Sequence, residues 1–298
     1  MESAQDLGYD WKKIPKLVYQ ENCRPNCDKC SMGCPYGAKW SSRMIVEEIC
    51  QNGSTLVADA QVKHVLTENQ SAAGVEYVYH GKRHQAFART IIISAGGIGT
   101  PQILRRSGIP NAGTDFFFDP LMIVMGVIAD LDGGKEFPMA AGLRFGDEDY
   151  IMTDLVSPRW LYWLFAAQVF RFDQLGAHKR IAPIMVKAKD ELGGHITERG
   201  AIRKRLGDVE TRRLMSGYER AREILTHAGA DTVFKSRYVA AHPGGTAKIN
   251  DVVDSNLETE IDNLFVCDCS VIPEAWGVPP VITLLALGKR LGKYLAGA

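Results

Sequence analysis

Thr90-Ile91-Ile92-Ile93-Ser94-Ala95-Gly96-Gly97-Ile98-Gly99-Thr100-Pro101 decides how this chain folds. The β-branched run from Thr90 to Ile93 reads as a fully buried strand, central and parallel, because a strand covered on both faces shows no polar alternation. Gly96, Gly97 and Gly99 then give the backbone the freedom for a tight turn. Thr100 is placed to cap a helix, Pro101 suits its first position, and Gly108 ends it. A strand, a glycine turn and a helix make a place where backbone N–H groups can approach a cofactor closely. A tight turn with no ligand accounts for the same glycines.

On the N-terminal side, Ser54–Ala58, Gln61–Thr67 and Ala73–Tyr79 carry β-branched residues between turn-like ones and read as strands. The polar stretch from His80 to Arg89 is expected to turn the chain. Further upstream, Ser41 or Ser42 caps a helix over about 43–51 that ends at Asn52-Gly53, with Cys50 on it as a small buried hydrophobe. Residues 1–22 are a polar lead-in with scattered apolar anchors such as Trp11. On the C-terminal side, 118–130 reads as one long strand. Residues 137–170 bring Trp160, Tyr162 and Trp163, expected as a core of sheet character or as the wall of an apolar pocket. Leu214, Tyr218, Ala221 and Leu225 repeat at helical spacing over Asp208–Thr226. Leu264 to Asp268 is a short buried strand ending in a carboxylate. Pro279-Pro280 opens a last helix over about 281–295, basic near its end. The fold class is therefore α/β with α+β character.

The bulk composition excludes several functions. Lys+Arg and Asp+Glu both count 35 in 298 residues, so no basic excess points to nucleic acid. No run of 18 apolar residues predicts a membrane span, and the polar first residues do not resemble a signal peptide. With clustered cysteines, this suggests a cytoplasmic, reducing location. Four of the seven cysteines, Cys23, Cys27, Cys30 and Cys34, fall within twelve residues, and Pro35 follows the last. Thiolates so spaced can serve one metal centre. The ending Cys-x-x-x-Cys-Pro resembles the iron–sulfur ligand run of ferredoxins, with a first gap one residue longer. Zinc, or buried and redox thiols, are the other readings. Cys267 and Cys269 read as packing residues.

Three stretches resemble the glucose–methanol–choline (GMC) oxidoreductases, a family of FAD-dependent alcohol and sugar oxidases and dehydrogenases. Ile92 to Leu104, followed by Ser107-Gly108, is similar to the family's second signature. His242-Pro243-Gly244-Gly245-Thr246, followed by Val253-Asp254, is similar to its active-site histidine segment. Asn263 to Pro273, running into the last helix, is similar to its closing signature. The cysteine run resembles the cluster-bearing loop of bacterial FAD-dependent glucose and fructose dehydrogenases, and four cysteines favour a [4Fe–4S] over a [3Fe–4S] cluster.

The resemblance implies part of an FAD-binding domain and a substrate domain with a mainly antiparallel sheet. Its boundaries would be 1–53 for the lead-in, iron–sulfur loop and helix, and 54–115 for part of the FAD-binding domain. The substrate domain would take 116–235, and 236–298 would hold the histidine segment and the closing part of the FAD-binding domain. His242 would be the acid/base. Val62 would lie by the adenine, Ser94, Ala95 and Gly96 by the ribose and phosphates, and Asp268 and Ser270 by the pyrophosphate and flavin. Residues 1–50 contain no Gly-x-Gly-x-x-Gly turn between a strand and a helix. FAD would then be shared with a partner subunit carrying that fingerprint, and electrons would leave through the cluster to an acceptor protein or another non-oxygen acceptor. The family's second catalytic histidine or asparagine is replaced by Pro279, which has no side-chain donor or acceptor, and Glu274 is the nearby candidate substitute. An electron-transfer subunit without catalytic residues and a zinc-stabilised interaction protein are the alternatives. The substrate expected is a small molecule, an alcohol or sugar.

Overall fold

A computed structural model describes residues 1–197 and 199–297. The chain forms two compact units. One comprises Met1–Leu56, Pro120–Ala188 and Asp208–Val239, the other Val57–Asp119, Lys189–Gly207 and Ala240–Ala298. The strand Thr114–Val127 contributes its first residues to the second unit and the remainder to the first.

The first unit is built on an antiparallel sheet. Within it Ala141–Phe145 pairs Tyr150–Asp154, which pairs Ile181–Ala188, which pairs the Leu121–Val127 part of the long strand. Lys12–Lys13 adds to the outer edge beside Ala141–Phe145, so the lead-in belongs to this unit and buries Trp11. The helix Asp208–His227 follows the expected period and buries Leu214, Gly217, Ala221, Ile224 and Leu225. Each fully buried Leu there contributes about 1.5–3 kcal/mol. Trp160, Tyr162 and Trp163 do not lie on a sheet. They sit on the helix Arg159–Gln168, where Tyr162 is buried and the two tryptophans are exposed. Aromatic residues favour strands weakly, and packing of one helical face overrode that preference.

The second unit holds three layers of signal near the glycine turn. Gln61–Glu68, Ser71–Tyr79 and Lys82–Phe87 form an antiparallel sheet. The last of these lies where only a turn was expected. All six of its residues are exposed, so no apolar alternation marks it, and the reversal is confined to His80 and Gly81, both at positive φ. Ser54–Ala58 forms no strand, having no pairing partner, and Leu56 and Val57 are exposed.

Ile91–Ile93 pairs in parallel with Leu264–Val266. Among the described residues it has no second neighbour, so it is not central. It is also not buried on both faces: Ile91 and Ile93 enter a core with Val65, Leu104, Leu264 and Val266, whereas Ile92 is 47% exposed. The period of two along a strand separates the three isoleucines in this way. The helix after the glycine turn begins at Gly96, with Pro101 inside it, rather than at Pro101. The helices Ser42–Gln51 and Val281–Leu295 stand where capping and proline signals put them, although Cys50 is only partly buried.

Gly217 lets its helix approach the sheet. An added Cβ would lie 2.3 Å from Val186 Cγ1 and 3.1 Å from Tyr150 Cε2. Gly217→Ala gains up to about 1 kcal/mol of helix propensity, but the overpacking costs about 1–3 kcal/mol. The substitution is expected to lower the urea unfolding midpoint, and an unchanged or raised midpoint would contradict this packing.

Candidate functional site

Asp268 ends the Leu264–Val266 strand segment and ties it to the glycine turn. Its Oδ2 accepts from the Gly96 amide at 2.8 Å and from the Thr100 hydroxyl at 2.5 Å, and its Oδ1 accepts from the Ser270 amide at 2.7 Å. Thr100 Oγ1 in turn accepts from the Ala95 amide at 3.0 Å. Thr100 thus bridges carboxylate and turn inside the helix instead of capping it. The Ser94 hydroxyl donates to the Cys267 carbonyl at 2.9 Å, and the Cys267 amide donates to the Ile93 carbonyl at 3.0 Å. Strand end, turn and carboxylate therefore form one hydrogen-bonded block.

Gly97 meets the histidine segment directly. A Cβ on Gly97 would lie 2.0 Å from the Pro243 carbonyl oxygen, so only glycine fits. The Thr246 hydroxyl donates to the Gly97 carbonyl at 2.9 Å, closing the contact. Gly244 is as confined, its absent Cβ falling 2.4 Å from Phe117 Cζ and 2.7 Å from the Cys269 carbonyl oxygen.

Beside the turn lies an open cleft of about 470 Å³, lined by Val62, Ile92, Ser94, Ala95, Gln102 and Arg106 among others. Gly96 has φ +77°, and a Cβ there would meet nothing within 4 Å. The side of Gly96 where a Cβ would stand is therefore open, while its amide is engaged by Asp268. Ser270 is fully buried, and its hydroxyl has no protein partner among the described residues. An open turn and an adjoining cleft leave room for a bound dinucleotide. Gln102 and Arg106 were not anticipated. Arg106 stands in the last helical turn, where a basic residue complements the helix dipole, and that position was its only signal.

His242 lies in the Val239–Gly244 strand at φ +49°. Its Nδ1 is 2.9 Å from Oδ2 of Asp119, whose side chain is 3% exposed against 34% for the histidine. Asp119 was not anticipated either, although a carboxylate inside an otherwise apolar strand was visible. Glu274 stands apart from this pair. It is 67% exposed and lies 3.6 Å from Lys189 Nζ. Pro279 is exposed. Cys269 packs with Phe117, Ile272 and Ala275, and its thiol is pushed up to about 11 by burial and then by the Asp268 and Asp119 carboxylates.

The cysteine loop belongs to the first unit. Its ends are tied by the Val18–Lys39 bridge, with the Tyr19 amide donating to Ala38 at 2.8 Å and the Trp40 amide to Leu17 at 3.1 Å. The Ser31 hydroxyl anchors it to the Val156 carbonyl at 3.1 Å. All four cysteines are free and partly exposed. Among the described residues no three His, Cys, Asp or Glu side chains form a metal-ligating group. The loop is a series of turns, with Asn26, Asp28 and Gly33 at positive φ, and Ala38 near its end is buried. Burial raises the Cys30 pKa, and proximity to Cys27, Cys23 and Cys34 adds to this. Cys34 is shifted down by hydrogen bonds from the Lys39, Tyr36 and Ala38 amides.

Family models described as GMC oxidoreductase match residues 1–123 with the family's N-terminal part and 194–288 with its C-terminal part, in order and over more than half of the chain. The chain belongs to the GMC oxidoreductase family. It is 26% identical over 288 residues to an uncharacterized protein of Methanocaldococcus jannaschii, covering 96% of this chain and 71% of that protein. It is 22% identical over 360 residues to a long-chain-alcohol oxidase of Arabidopsis thaliana, covering 98% of this chain and 49% of the oxidase. Human mitochondrial choline dehydrogenase is 40% identical over 115 residues, 38% of this chain and 19% of that enzyme. The fold matches pyridoxine 4-oxidase from Mesorbium loti at a TM-score of 0.61 and 15% identity, over 80% of this chain and 57% of the oxidase. It also matches an FAD-dependent oxidoreductase from Chaetomium thermophilum at a TM-score of 0.67 and 13% identity, over 99% of this chain and 70% of that one. The chain thus spans about half the length of the plant oxidase and of pyridoxine 4-oxidase.

Asp268→Ala removes three charge-assisted acceptor interactions and leaves the Gly96 and Ser270 amides without their partner. A loss of about 3 kcal/mol in unfolding free energy is expected, read from urea denaturation, with Asp268→Asn losing less because one acceptor oxygen remains.

Proposed function

We propose that this chain supplies the proton-accepting residue and part of the FAD site of an oxidoreductase acting on a CH–OH group. The observation that carries the reading is the approach of Gly97 to Pro243, which packs the cofactor-type turn against the segment bearing His242. Both parts are in one unit, and both match the family's order. The alcohol class is favoured by relatives named as a long-chain-alcohol oxidase and a choline dehydrogenase.

Val62, Ser94, Ala95 and Gly96 would hold the nucleotide half of FAD along the cleft, with Asp268 and Ser270 shaping the pyrophosphate and flavin side. FAD, when bound, supplies hydride acceptance. His242 takes the hydroxyl proton at an imidazole nitrogen, and an imidazole titrates close enough to neutrality to serve as such a base. Gly97 and Thr246 keep that imidazole's segment in place against the turn. In this reading a partner subunit carrying a Gly-x-Gly-x-x-Gly turn completes the FAD site.

The same reading takes the cysteine loop as the electron exit. The four cysteines fall within twelve residues, and three amides favour a thiolate at Cys34, the form in which a cysteine ligates a metal. An iron–sulfur cluster held by Cys23, Cys27, Cys30 and Cys34 would supply one-electron transfer to an acceptor protein. Convergence of the thiols would accompany its binding, since thiolates without a cation repel one another.

His242→Gln in the FAD-loaded protein, purified with any subunit that accompanies it, is expected to slow anaerobic flavin bleaching by primary alcohols about 10²–10⁴-fold at unchanged flavin content. A wild-type rate removes His242 from the reaction. Anaerobically purified protein is expected to contain iron and sulfide and to show a broad visible absorbance bleached by dithionite, all reduced in Cys34→Ser. Zinc with no iron would end the electron-exit reading.

A further inference from the structure

We infer that Asp119 is the positioning residue of His242: its buried carboxylate accepts the Nδ1 proton and holds the imidazole in the tautomer whose Nε2 keeps a lone pair for the substrate's proton. This rests on the reading of His242 as the proton acceptor.

The hydrogen bond sets the tautomer. An ionised carboxylate has only acceptor sites, so at 2.9 Å the Nδ1 must be the donor. The neutral ring then carries its lone pair on Nε2. Burial sets the direction of the ring. Asp119 is 2% exposed and anchors the inner nitrogen, while about a third of the histidine side chain stays open. The backbone is bent to the same end. His242 sits at φ +49°, a region that side chains other than glycine rarely adopt and that persists where the surroundings dictate it. Pro243 follows, its carbonyl oxygen packed against Gly97.

The pair also answers the replacement at Pro279. In the family segment a second polar side chain would help to orient the reacting groups. Here Pro279 offers none, and Glu274 is exposed beside Lys189. Asp119 comes instead from a different part of the chain, the Thr114–Val127 strand, and acts on the base rather than on the substrate. Cys269 does not compete for the proton, because burial and the two neighbouring carboxylates keep its thiol neutral.

The step balances as follows. The substrate O–H bond breaks and its proton forms a bond to Nε2, giving an imidazolium. The C–H bond on the same carbon breaks as a C=O bond forms, and FAD, when bound, would supply the acceptor for the departing hydride. The imidazolium is held against the Asp119 carboxylate, whose negative charge offsets the positive charge that develops.

The test is the protonation pattern of the ring. Protein loaded with FAD and labelled with ¹⁵N-histidine is measured by long-range ¹H–¹⁵N spectra at about pH 8.5, roughly two units above the ordinary histidine value. His242→Gln identifies the His242 signals by their loss. The wild type is expected to show a protonated Nδ1 and an unprotonated Nε2. Asp119→Asn is expected to shift the proton to Nε2 or to average the two forms, and to slow flavin reduction by primary alcohols on the order of 10²–10⁴-fold with KM unchanged. A protonated Nε2 in the wild type overturns the proposal without any variant having to fold. An unchanged pattern in Asp119→Asn overturns it too. Wild-type flavin reduction in His242→Gln would instead remove the proton-acceptor reading, and the tautomer is read independently of that result.

Discussion

The absent side chain of Gly97 is the constraint on which the candidate site depends. A peptide turn and a second chain segment meet there backbone to backbone, leaving no room for even a methyl group. Thr246 closes the junction with a hydrogen bond to the Gly97 carbonyl. Any other residue would have to push the His242 segment away from the turn that follows Ile91–Ile93. Close backbone approach is one of the few tasks for which glycine has no substitute. Gly96 does the opposite: a Cβ there would meet nothing within 4 Å. Two adjacent glycines thus serve two different spatial requirements.

Two carboxylates then organise what the glycines bring together. Asp268 fastens the closing strand to the turn through two amides and a hydroxyl, so its charge is spread over donors that have no closer partner. Asp119 fastens the histidine. Burial raises the pKa of the Cys269 thiol that packs nearby, and both carboxylates raise it further, which keeps a potential nucleophile inert. Hydrogen bonds to an ionised acceptor are stronger than neutral ones, and burial strengthens them further. The segment is held in register by charge-assisted bonds as much as by apolar packing.

Much of the fold was legible in local patterns. The helix Asp208–His227 followed from apolar spacing, and Val281–Leu295 from the two prolines before it. The Lys82–Phe87 strand was hidden because all its residues face solvent, so pairing with Ser71–Tyr79 is its only support. Three isoleucines in a row look alike in sequence, but alternate strand residues face opposite sides, and Ile92 is exposed. The helix start was misplaced because Thr100 and Pro101 imitate a capping signal. In the structure Thr100 instead serves Asp268, 168 residues away along the chain.

The sequence by itself determined the family, through the order of the glycine turn, the His242 segment and the closing strand. It also pointed to His242, Asp268 and the cysteine cluster as the chemically unusual positions. These signals are local, because residue type and spacing within a few positions carry them. The tertiary structure decided what those residues meet. Asp119 reaches His242 across 123 positions, and Gly97 meets Pro243 through a contact that only the folded backbone creates. It also decided that, among the described residues, the four thiols of the cysteine loop form no metal-ligating group, because spacing along a chain permits such a group but only packing or a bound cation enforces it.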